Sequence, residues 1–424
     1  MTSFKKKIAI IVQRYGEQVN GGAETHARMI AEKLNEKYDV TVLTSRALNY
    51  HTWEPELSEG ECFENGIRII RFNHPPKGSK KKLHQFNRKI RGRHLKQKFF
   101  RFIGQPKWFE VLFPQVKVTD KDYQSWLELQ GPAMITLPGY LEKNKEKYTA
   151  YIFMTYLYYP TAFGVQAVPE KSILIPTMHD EPPAYFGVFQ KVMSAPSWIF
   201  FNTKAEQEFS EKQFNINNNK KAIVAVGIDA VRNDIDATIK EKFGIKKPYI
   251  VYVGRIDKAK GCDMLFHYFQ VFLKEQHPNL ELVMVGKNMM EIDDCASTIF
   301  TGFVTDEEKQ QLIKQAQALI IPSKYESLSL VLLESFACKV PVIANGECQV
   351  LKDHIELGGG GWAYDDYTGF KKALSSLLSD HEDVEAKRKL GYEYVTCNYT
   401  WEKVMEKFDY AIQNIEEKNK TIER

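Results

Sequence analysis

Residues 249–269 read "YIVYVGRIDKAKGCDMLFHYF", and this stretch decides the fold class. Its first five residues are apolar or aromatic, as in a strand covered on both faces, and a glycine follows them. After a polar turn, apolar residues recur at helical spacing in Met264, Leu265 and Phe269. A buried strand followed by a helix is the repeating unit of a doubly wound α/β domain, so the segment predicts that architecture.

The same alternation of buried runs and helical patterns recurs along the chain. Most of the runs are apolar on both faces, which is typical of parallel strands between two helical layers. At 424 residues the chain is too long for one ordinary hydrophobic core, so we predict two such domains. The predicted strands are residues 8–13, 39–44, 67–72, 148–154, 172–178, 198–202, 249–254, 280–286, 299–304, 318–323 and 340–345.

A polar connector at residues 226–248 separates the two halves and ends directly before a strongly apolar strand. We therefore expect an N-terminal domain over residues 1–225 and a C-terminal domain over residues 226–398. Residues 399–424 carry apolar side chains at helical spacing, which predicts a terminal helix with one buried face.

Composition excludes several classes of protein. Hydrophobic residues make up 43% and charged residues 26% of the chain, as in globular proteins rather than disordered ones. No apolar run reaches the length of a membrane span, and the start lacks a signal-peptide pattern, so we expect a cytoplasmic protein. The six cysteines are scattered without a C-x-x-C pair, which signals neither a zinc site nor a disulfide framework.

The basic charge is concentrated in residues 77–101, which hold eleven Lys or Arg and no acid. This segment alone is +11 in a chain of net charge +4, which leaves −7 for the rest. Apolar residues interleave with the charges at helical spacing, within a predicted insert over residues 73–147. A solvated surface helix and docking on an anionic membrane surface both fit this pattern. Nucleic-acid binding is not expected, because no nucleic-acid motif accompanies the charge.

Four turns between predicted strands and helices carry candidate binding groups. Gly21 and Gly22 open the first helix and would let a ligand approach the backbone, although such a pair is often only a tight turn. Arg255 and Lys260 would form an anion site beside a helix N-terminus, unless they are only surface cations. His179 follows a strand and precedes two acids that could orient it, although a lone histidine is more often structural.

The fourth turn is the segment "KYESLSLVLLESFACKV" at residues 324–340. If a helix begins near Ser329, Glu326 lies just before its N-terminus and Glu334 lies inside its second turn. Helical geometry over the eight residues would separate the two carboxylates by roughly 12 Å, about the distance from the sugar to the ribose of a nucleotide-sugar.

These motifs together resemble a known family. The ordered set "GGAE", "HD", "GRIDKAKG", "GFVTDEE" and "PSKYESLSLVLLESFACKVPVIA" is similar to the retaining family-4 glycosyltransferases, and the resemblance is densest over residues 222–364. The family has the GT-B architecture of two facing Rossmann-like domains. The resemblance therefore implies that fold, with the C-terminal helix returning to the N-terminal domain.

The resemblance also implies a role for each matching residue in binding a nucleotide-sugar donor. Where the family often has glycines after the first glutamate, this chain has Ser327, Leu328 and Ser329, which leaves the donor sugar open. The implied roles are the diphosphate for Gly22, Arg255, Lys260 and the amides of Leu330 and Val331, the donor sugar for His179 and Glu326, the ribose for Glu334, and the nucleobase for the backbone at Val304. Gly21 and Ser329 are also implied to bind the donor. The implied catalytic residues are His179, Arg255, Lys260 and Glu326.

The implied activity is retaining, metal-independent transfer of a hexose or N-acetylhexosamine from a UDP- or GDP-sugar to a saccharide acceptor. A lipid-linked acceptor in surface polysaccharide or lipopolysaccharide assembly would explain the basic insert and imply peripheral membrane association. No cofactor is expected, because the nucleotide-sugar is a substrate. Two alternatives stay open, namely a non-catalytic partner subunit and a nucleotide-sugar epimerase of the same architecture. The oligomeric state is not predicted.

Overall fold

The computed structural model describes residues 5–19, 21–90, 118–229, 231, 234–276, 278–290 and 297–422. The chain divides into two compact units. The N-terminal unit consists of Met1–Ala225 and Met405–Arg424, and the C-terminal unit consists of Val226–Val404.

The N-terminal unit is built on an eight-stranded sheet with the strand order β3-β4-β2-β1-β5-β6-β7-β8. Its neighbouring strands run parallel except for the antiparallel pair β3 and β4. The central strands are buried because they are apolar on both faces. The strands are β1 (Lys7–Ile11), β2 (Asp39–Ser45), β3 (Gly60–Glu64), β4 (Ile67–Phe72), β5 (Ala150–Met154), β6 (Ser172–Ile175), β7 (Trp198–Phe201) and β8 (Lys220–Ile223).

Helices connect these strands and bury one face each against the sheet or its neighbours. Trp126, Phe153 and Phe189 are among the large side chains at the centre of this core. Residues 80–90 are also helical. The helices with described ends are α1 (Gly22–Lys37), α2 (Asp120–Gln130), α3 (Leu137–Lys143), α4 (Tyr159–Ala167), α5 (Val188–Ser194) and α6 (Lys204–Gln213).

The C-terminal unit has a six-stranded, all-parallel sheet with the order β11-β10-β9-β12-β13-β14. Its strands are β9 (Tyr249–Val253), β10 (Glu281–Val285), β11 (Thr298–Gly302), β12 (Ala318–Ile321), β13 (Val342–Asn345) and β14 (Gly361–Tyr364). Its helices are α7 (Thr238–Lys242), α8 (Cys262–Gln276), α9 (Asp306–Lys314), α10 (Leu330–Ala337), α11 (Gln349–Gly358), α12 (Tyr367–Ser379) and α13 (His381–Asn398). The last helix, α14 (Trp401–Ile422), begins in this unit.

Helix α14 continues into the N-terminal unit from Met405 onward. There the ring of Phe408 packs edge-on against Phe200 at 5.1 Å between centroids. Asp409 accepts hydrogen bonds from Lys37 Nζ at 2.7 Å and from the Tyr38 hydroxyl at 2.6 Å. The helix is therefore fixed to the N-terminal unit by both apolar and charged contacts.

The two parallel sheets confirm the predicted pair of doubly wound α/β domains. Each of the eleven predicted runs contains a strand, but β3, β8 and β14 were missed. All three lie at a sheet edge, where one side of a strand faces solvent and the sequence need not be apolar. In β3, for example, Phe63 is 68% exposed. Strands β3 and β8 thus lack the two-sided apolar pattern on which the prediction relied, whereas β14 is apolar throughout and begins at the end of a run of four glycines.

The helical residues 80–90 turn their apolar face toward protein. Leu83 and Phe86 pack against the N-terminal core, and Ile90 is buried in it. The exposed side of this segment carries basic residues such as Lys81 and Arg88. Residues 91–117, which hold the rest of the predicted basic face, lie outside the described residues. Within the described part of the chain, no helix combines the length and apolarity needed to cross a bilayer.

Two buried histidines should make the fold sensitive to acid. Burial lowers the pKa of His26 and of His354 to about 4, against an ordinary value of 6.5. Between pH 6.5 and 4 the unfolded chain binds these protons and the folded chain does not. The folded state is therefore expected to lose on the order of 1 to 3 kcal/mol per histidine as the pH falls through this window, with no further loss below it.

The measurement is the midpoint of urea unfolding between pH 7 and 4, compared between the wild type and the His26→Gln and His354→Gln variants. The comparison is needed because burial raises the pKa of Glu206 to about 8. Protonation of Glu206 therefore stabilises the folded state as the pH falls over part of the same window, which opposes the effect of the histidines. Glutamine does not titrate, so each variant should gain relative to the wild type as the pH falls. A constant difference between variant and wild type across the window would show that these histidines do not titrate as described.

Candidate functional site

The candidate site of the C-terminal unit begins where β9 ends. Gly254 adopts φ +148° and Gly261 adopts φ +74°, conformations that favour glycine. A Cβ atom on Gly261 would lie 2.5 Å from the backbone oxygen of Pro322, the residue after β12. The end of the turn after β9 is therefore in close backbone contact with the first residue after β12, which places this turn beside the loop that leads to α10.

A short 3₁₀ turn at Lys258–Lys260 organises the cations of this loop. The Asp257 side chain caps the turn by accepting a hydrogen bond from the Lys260 backbone N–H at 2.9 Å. The same carboxylate forms an ion pair with the Arg255 guanidinium. We did not predict Asp257, although an aspartate three residues before Lys260 is the pattern of a turn cap.

Lys260 and Glu326 form a direct ion pair, with 2.8 Å between Nζ and Oε1. Their side chains are 32% and 18% exposed, so the pair is accessible at one side. Burial alone would lower the pKa of Lys260, but the charge and hydrogen bond of Glu326 outweigh it and raise that pKa. Two residues predicted to bind the donor are thus brought together, with the lysine held in its charged form.

Glu334 lies in α10 and accepts a hydrogen bond from Lys309 Nζ in α9 at 2.8 Å. Lys309 also lies 3.2 Å from the carboxylate of Asp306. Burial would lower the pKa of Lys309, but the charges and hydrogen bonds of Glu334 and Asp306 together outweigh it and raise that pKa. Lys309 was not predicted, because its contact with Glu334 joins residues 25 positions apart and no local sequence pattern indicates such a contact.

Helix α10 begins at Leu330 with Ser329 as its N-cap, which confirms the predicted helix start. Ser329 adopts a left-handed conformation with φ +63°, and its buried Oγ has no hydrogen-bond partner among the described residues. The N–H groups of Leu330 and Val331 open the helix, so they have no intrahelical partners and present partial positive charge. The helical premise of the 12 Å estimate is wrong for part of the segment, because residues 326–329 are not helical.

Val304 lies between β11 and α9 and is half-buried. The next residue, Thr305, caps α9 through a capping box with Glu308. The backbone at Val304 is thereby fixed between a strand end and a capped helix. Its contact with a nucleobase stays a prediction.

Gly21 and Gly22 lie in the N-terminal unit at the start of α1 and differ in their surroundings. A Cβ on Gly21 would lie 2.1 Å from the carboxylate of Glu24, which is paired with Arg14 at 2.7 Å. No atom lies within 4 Å of a Cβ built on Gly22, so this position faces open space. Gly21 is required by the local structure itself, whereas Gly22 has room beside its backbone.

His179 lies beyond the end of β6, also in the N-terminal unit. Its Nδ1 is 3.9 Å from Oε1 of Glu181, and that oxygen accepts a hydrogen bond from the Tyr156 hydroxyl at 2.9 Å. Asp180 accepts instead from the Tyr185 hydroxyl at 2.6 Å. Of the two acids predicted to orient His179, Glu181 is therefore the one beside the ring.

The C-terminal unit thus gathers two cations, two carboxylates and a helix N-terminus at the carboxyl end of its sheet, with a third carboxylate, that of Glu334, further along α10. Cations and helix amides bind phosphate, and carboxylates accept hydrogen bonds from sugar hydroxyls. Gly21, Gly22 and His179 belong to the other unit. Among the described residues, no group of three or more His, Cys, Asp or Glu is arranged to hold a metal ion.

Residues 235–394, which lie within the C-terminal unit, match the family model for glycosyl transferases group 1. An uncharacterized glycosyltransferase of Methanocaldococcus jannaschii is 28% identical over 171 residues, 36% of this chain and 43% of the relative. Glycogen synthase of Mycobacterium tuberculosis is 26% identical over 196 residues, 42% of this chain and 46% of the relative.

A third relative is phosphatidyl-myo-inositol mannosyltransferase of Propionibacterium freudenreichii, which is 28% identical over 163 residues, 37% of this chain and 41% of the relative. The chain thus matches less than half the length of each of these curated relatives.

Two solved structures share the fold over nearly the whole chain. Sucrose-phosphate synthase from Thermosynechococcus elongatus has a TM-score of 0.69 at 15% identity and covers 97% of this chain and 99% of its own. Anabaena HepE in complex with UDP and glucose has a TM-score of 0.66 at 13% identity, and the match covers 96% of this chain and 100% of the HepE chain. The chain therefore has the GT-B fold with two Rossmann-like domains.

Proposed function

We propose that this chain is a retaining, metal-independent glycosyltransferase that takes a hexose or N-acetylhexosamine from a UDP- or GDP-sugar. The observation that carries the proposal is the ion pair of Lys260 with Glu326 beside the N-terminus of α10. A cation and helix amides suit a diphosphate, and an adjacent carboxylate suits the hydroxyls of the attached sugar. A nucleotide-sugar carries these two kinds of group on directly bonded parts of one molecule.

The nucleoside end of the donor is assigned to Glu334 and the backbone at Val304. Glu334 lies 25% exposed in α10, with Lys309 holding its carboxylate in place. A charged carboxylate accepts two hydrogen bonds from neighbouring ribose hydroxyls at little cost, because one oxygen serves each. The similar fold of HepE, a protein with UDP and glucose bound, supports a donor of this class.

The proposed reaction follows from where charge develops. The bond between the sugar C1 and the diphosphate oxygen breaks, and the acceptor oxygen forms a new bond to C1 from the same face. The acceptor proton passes to the departing phosphate oxygen. Arg255, Lys260 and the amides of Leu330 and Val331 stabilise the negative charge that grows on the diphosphate. These groups supply the positive charge that a metal ion provides in other enzymes, and no cofactor takes part.

The proposed acceptor is a saccharide linked to a lipid at an anionic membrane surface. The support is the basic segment at residues 77–101, whose described part keeps Lys80, Lys81, Lys82 and Arg88 exposed while its apolar face packs on protein. The name of the relative phosphatidyl-myo-inositol mannosyltransferase points to an acceptor that carries a lipid. In this arrangement attraction to the membrane is electrostatic, so the protein associates peripherally.

The protein is expected to sediment with anionic vesicles at low salt and to stay in solution with neutral ones. Each Lys or Arg near the lipid surface contributes about 1 kcal/mol, so reversing the charge of Lys80, Lys81 and Lys82 to glutamate should weaken binding at least 10-fold. High salt should release the protein, since the attraction is screened. Equal sedimentation with anionic and neutral vesicles at low salt would rule out this surface as the membrane contact.

Thermal unfolding with a panel of UDP- and GDP-sugars tests the donor assignment. The matching nucleotide-sugar should raise the unfolding temperature, because a ligand that binds only the folded state stabilises it. Glucose, N-acetylglucosamine, galactose and mannose are the sugars to compare. If no nucleotide-sugar and no free nucleoside diphosphate shifts the transition, the donor site is wrongly assigned.

A further inference from the structure

His354 is a buried side chain that the sequence did not single out and that the proposed reaction does not use. It lies in α11 and is 2% exposed. Its Nε2 lies 2.9 Å from the backbone oxygen of Leu328. Leu328 falls between Glu326 and Ser329, within the loop that carries the proposed sugar and phosphate contacts. A residue of α11 is thus bonded directly to the binding loop.

The hydrogen bonds define the state of the imidazole ring. The Leu328 carbonyl can only accept, so Nε2 carries the hydrogen and donates it. Nδ1 then accepts from the Tyr394 hydroxyl at 3.1 Å, and the Tyr394 hydroxyl lies 3.1 Å from that of Tyr399. Burial lowers the pKa of His354 to about 4 and raises the pKa of both tyrosines. The ring is neutral, and both of its nitrogens are used.

Tyr399, the last residue in this series of hydrogen bonds, is itself held in place. The Tyr399 backbone oxygen accepts a hydrogen bond from the Ile228 N–H at 2.8 Å. Gly227 packs against Trp401 so closely that a Cβ atom would lie 2.4 Å from the indole ring. Tyr399 therefore cannot shift freely, and His354 holds Leu328 against a rigid support.

The hydrogen bond from His354 to the Leu328 carbonyl determines the direction of the Ser329 N–H group. In a trans peptide unit the C=O and N–H groups point in opposite directions. Because the Leu328 oxygen points to His354, the Ser329 N–H points to the opposite side. Ser329 is left-handed and the helix follows at once, which is the backbone sequence of an anion-binding nest. The amides of Ser329, Leu330 and Val331 then form one concave donor group.

Ser329 needs this external support. A left-handed conformation is strained for a residue with a Cβ, and such strain persists only where the surroundings enforce it. The Ser329 hydroxyl is buried and, within the described part of the chain, has no hydrogen-bond partner that would offset the cost of the left-handed conformation. The unpaired hydroxyl at the nest is a second observation that points to a ligand, since buried polar groups are otherwise paired.

We propose that His354 is a positioning residue for the phosphate of the donor, because its bond to Leu328 aims the amides of Ser329, Leu330 and Val331. This inference rests on the proposed function. It adds to the proposed donor site a residue that lies outside the binding surface. His354 touches no ligand itself. Its removal should therefore lower affinity for phosphate groups without altering the cations or carboxylates of the site.

The test measures binding of UDP, GDP and inorganic pyrophosphate by calorimetry. His354→Phe should weaken pyrophosphate and nucleoside diphosphate binding about 10-fold, and His354→Gln should restore most of the loss, because the glutamine amide can still donate to Leu328. Tyr249→Phe is the matched control. It removes a buried hydrogen bond to a backbone carbonyl, Tyr249 to Leu312 at 2.7 Å, and should leave affinity unchanged.

The outcomes separate this inference from the proposed function. If the wild type binds a nucleoside diphosphate and folded His354→Phe binds it equally well, the positioning role is wrong and the proposed function stands. If the wild type binds none of the three compounds, both are wrong. Should His354→Phe fail to fold, the double variant Tyr394→Phe with Tyr399→Phe is measured instead. It removes both hydroxyl partners of Nδ1, so a few-fold loss is expected and wild-type affinity would overturn the inference.

Discussion

Replacing Lys260 with alanine is expected to lower kcat/KM for glycosyl transfer about 1,000-fold, which corresponds to about 4 kcal/mol of transition-state stabilisation. Lys260 is the cation nearest to Glu326 and is held in its charged form by that carboxylate. Its loss removes positive charge from the departing diphosphate and leaves Glu326 without its counter-ion. Affinity for inorganic pyrophosphate should fall as well, because the lysine also binds the ground state.

The matched control is Lys258→Ala, which removes an exposed lysine from the same 3₁₀ turn. It should keep kcat/KM within a few-fold of the wild type, because a solvent-exposed cation is screened. Lys260→Arg should recover only part of the activity, since a guanidinium has a different shape from an ammonium group. Equal losses in Lys258→Ala and Lys260→Ala would mean that general positive charge, rather than the Lys260 position, serves the reaction.

Replacing Glu334 with alanine is expected to weaken UDP or GDP binding by roughly 100-fold or more, because each of two hydrogen bonds to a charged group contributes about 1.5 kcal/mol or more. Affinity for inorganic pyrophosphate should stay unchanged or rise slightly, because pyrophosphate has no ribose and one negative charge is removed. This contrast separates a ribose contact from a general electrostatic effect. Calorimetry with both ligands measures it.

Glu356→Ala is the control for this change, since Glu356 is an exposed glutamate in α11. Circular dichroism and thermal unfolding should show that Glu334→Ala is folded, because the lost contact with Lys309 is only part-buried. Parallel losses of pyrophosphate and nucleotide affinity in Glu334→Ala would contradict the ribose assignment. Unchanged nucleotide affinity would contradict it as well.

The features of the fold and site that the sequence predicts well are determined by residues close together in the chain. Strand β9 and helix α8 were readable from one segment, because burial on both faces and helical spacing are properties of neighbouring residues. Such features are fixed by short-range chemistry, so a single chain reveals them.

The parts that were missed depend on distant residues. Lys309 meets Glu334 across 25 positions, and His354 meets Leu328 across 26 and Tyr394 across 40. Only the packing of α9, α10, α11 and α13 creates these contacts. The edge strands were missed for a related reason, since an edge position is a property of the whole sheet. The left-handed Ser329 also escaped prediction, because serine ordinarily avoids that conformation.

The central claim is that the chain transfers a sugar from a nucleotide donor, and release of nucleoside diphosphate tests it most directly. The purified protein is incubated with each UDP- and GDP-sugar, and the free nucleoside diphosphate is quantified over time. We predict slow release from one donor, faster release when a suitable saccharide acceptor is added, and release in Lys260→Ala about 1,000-fold slower. An epimerase would instead convert the sugar without release, and a non-catalytic subunit would give no turnover. Absence of release from every nucleotide-sugar, with and without acceptor, would contradict the account.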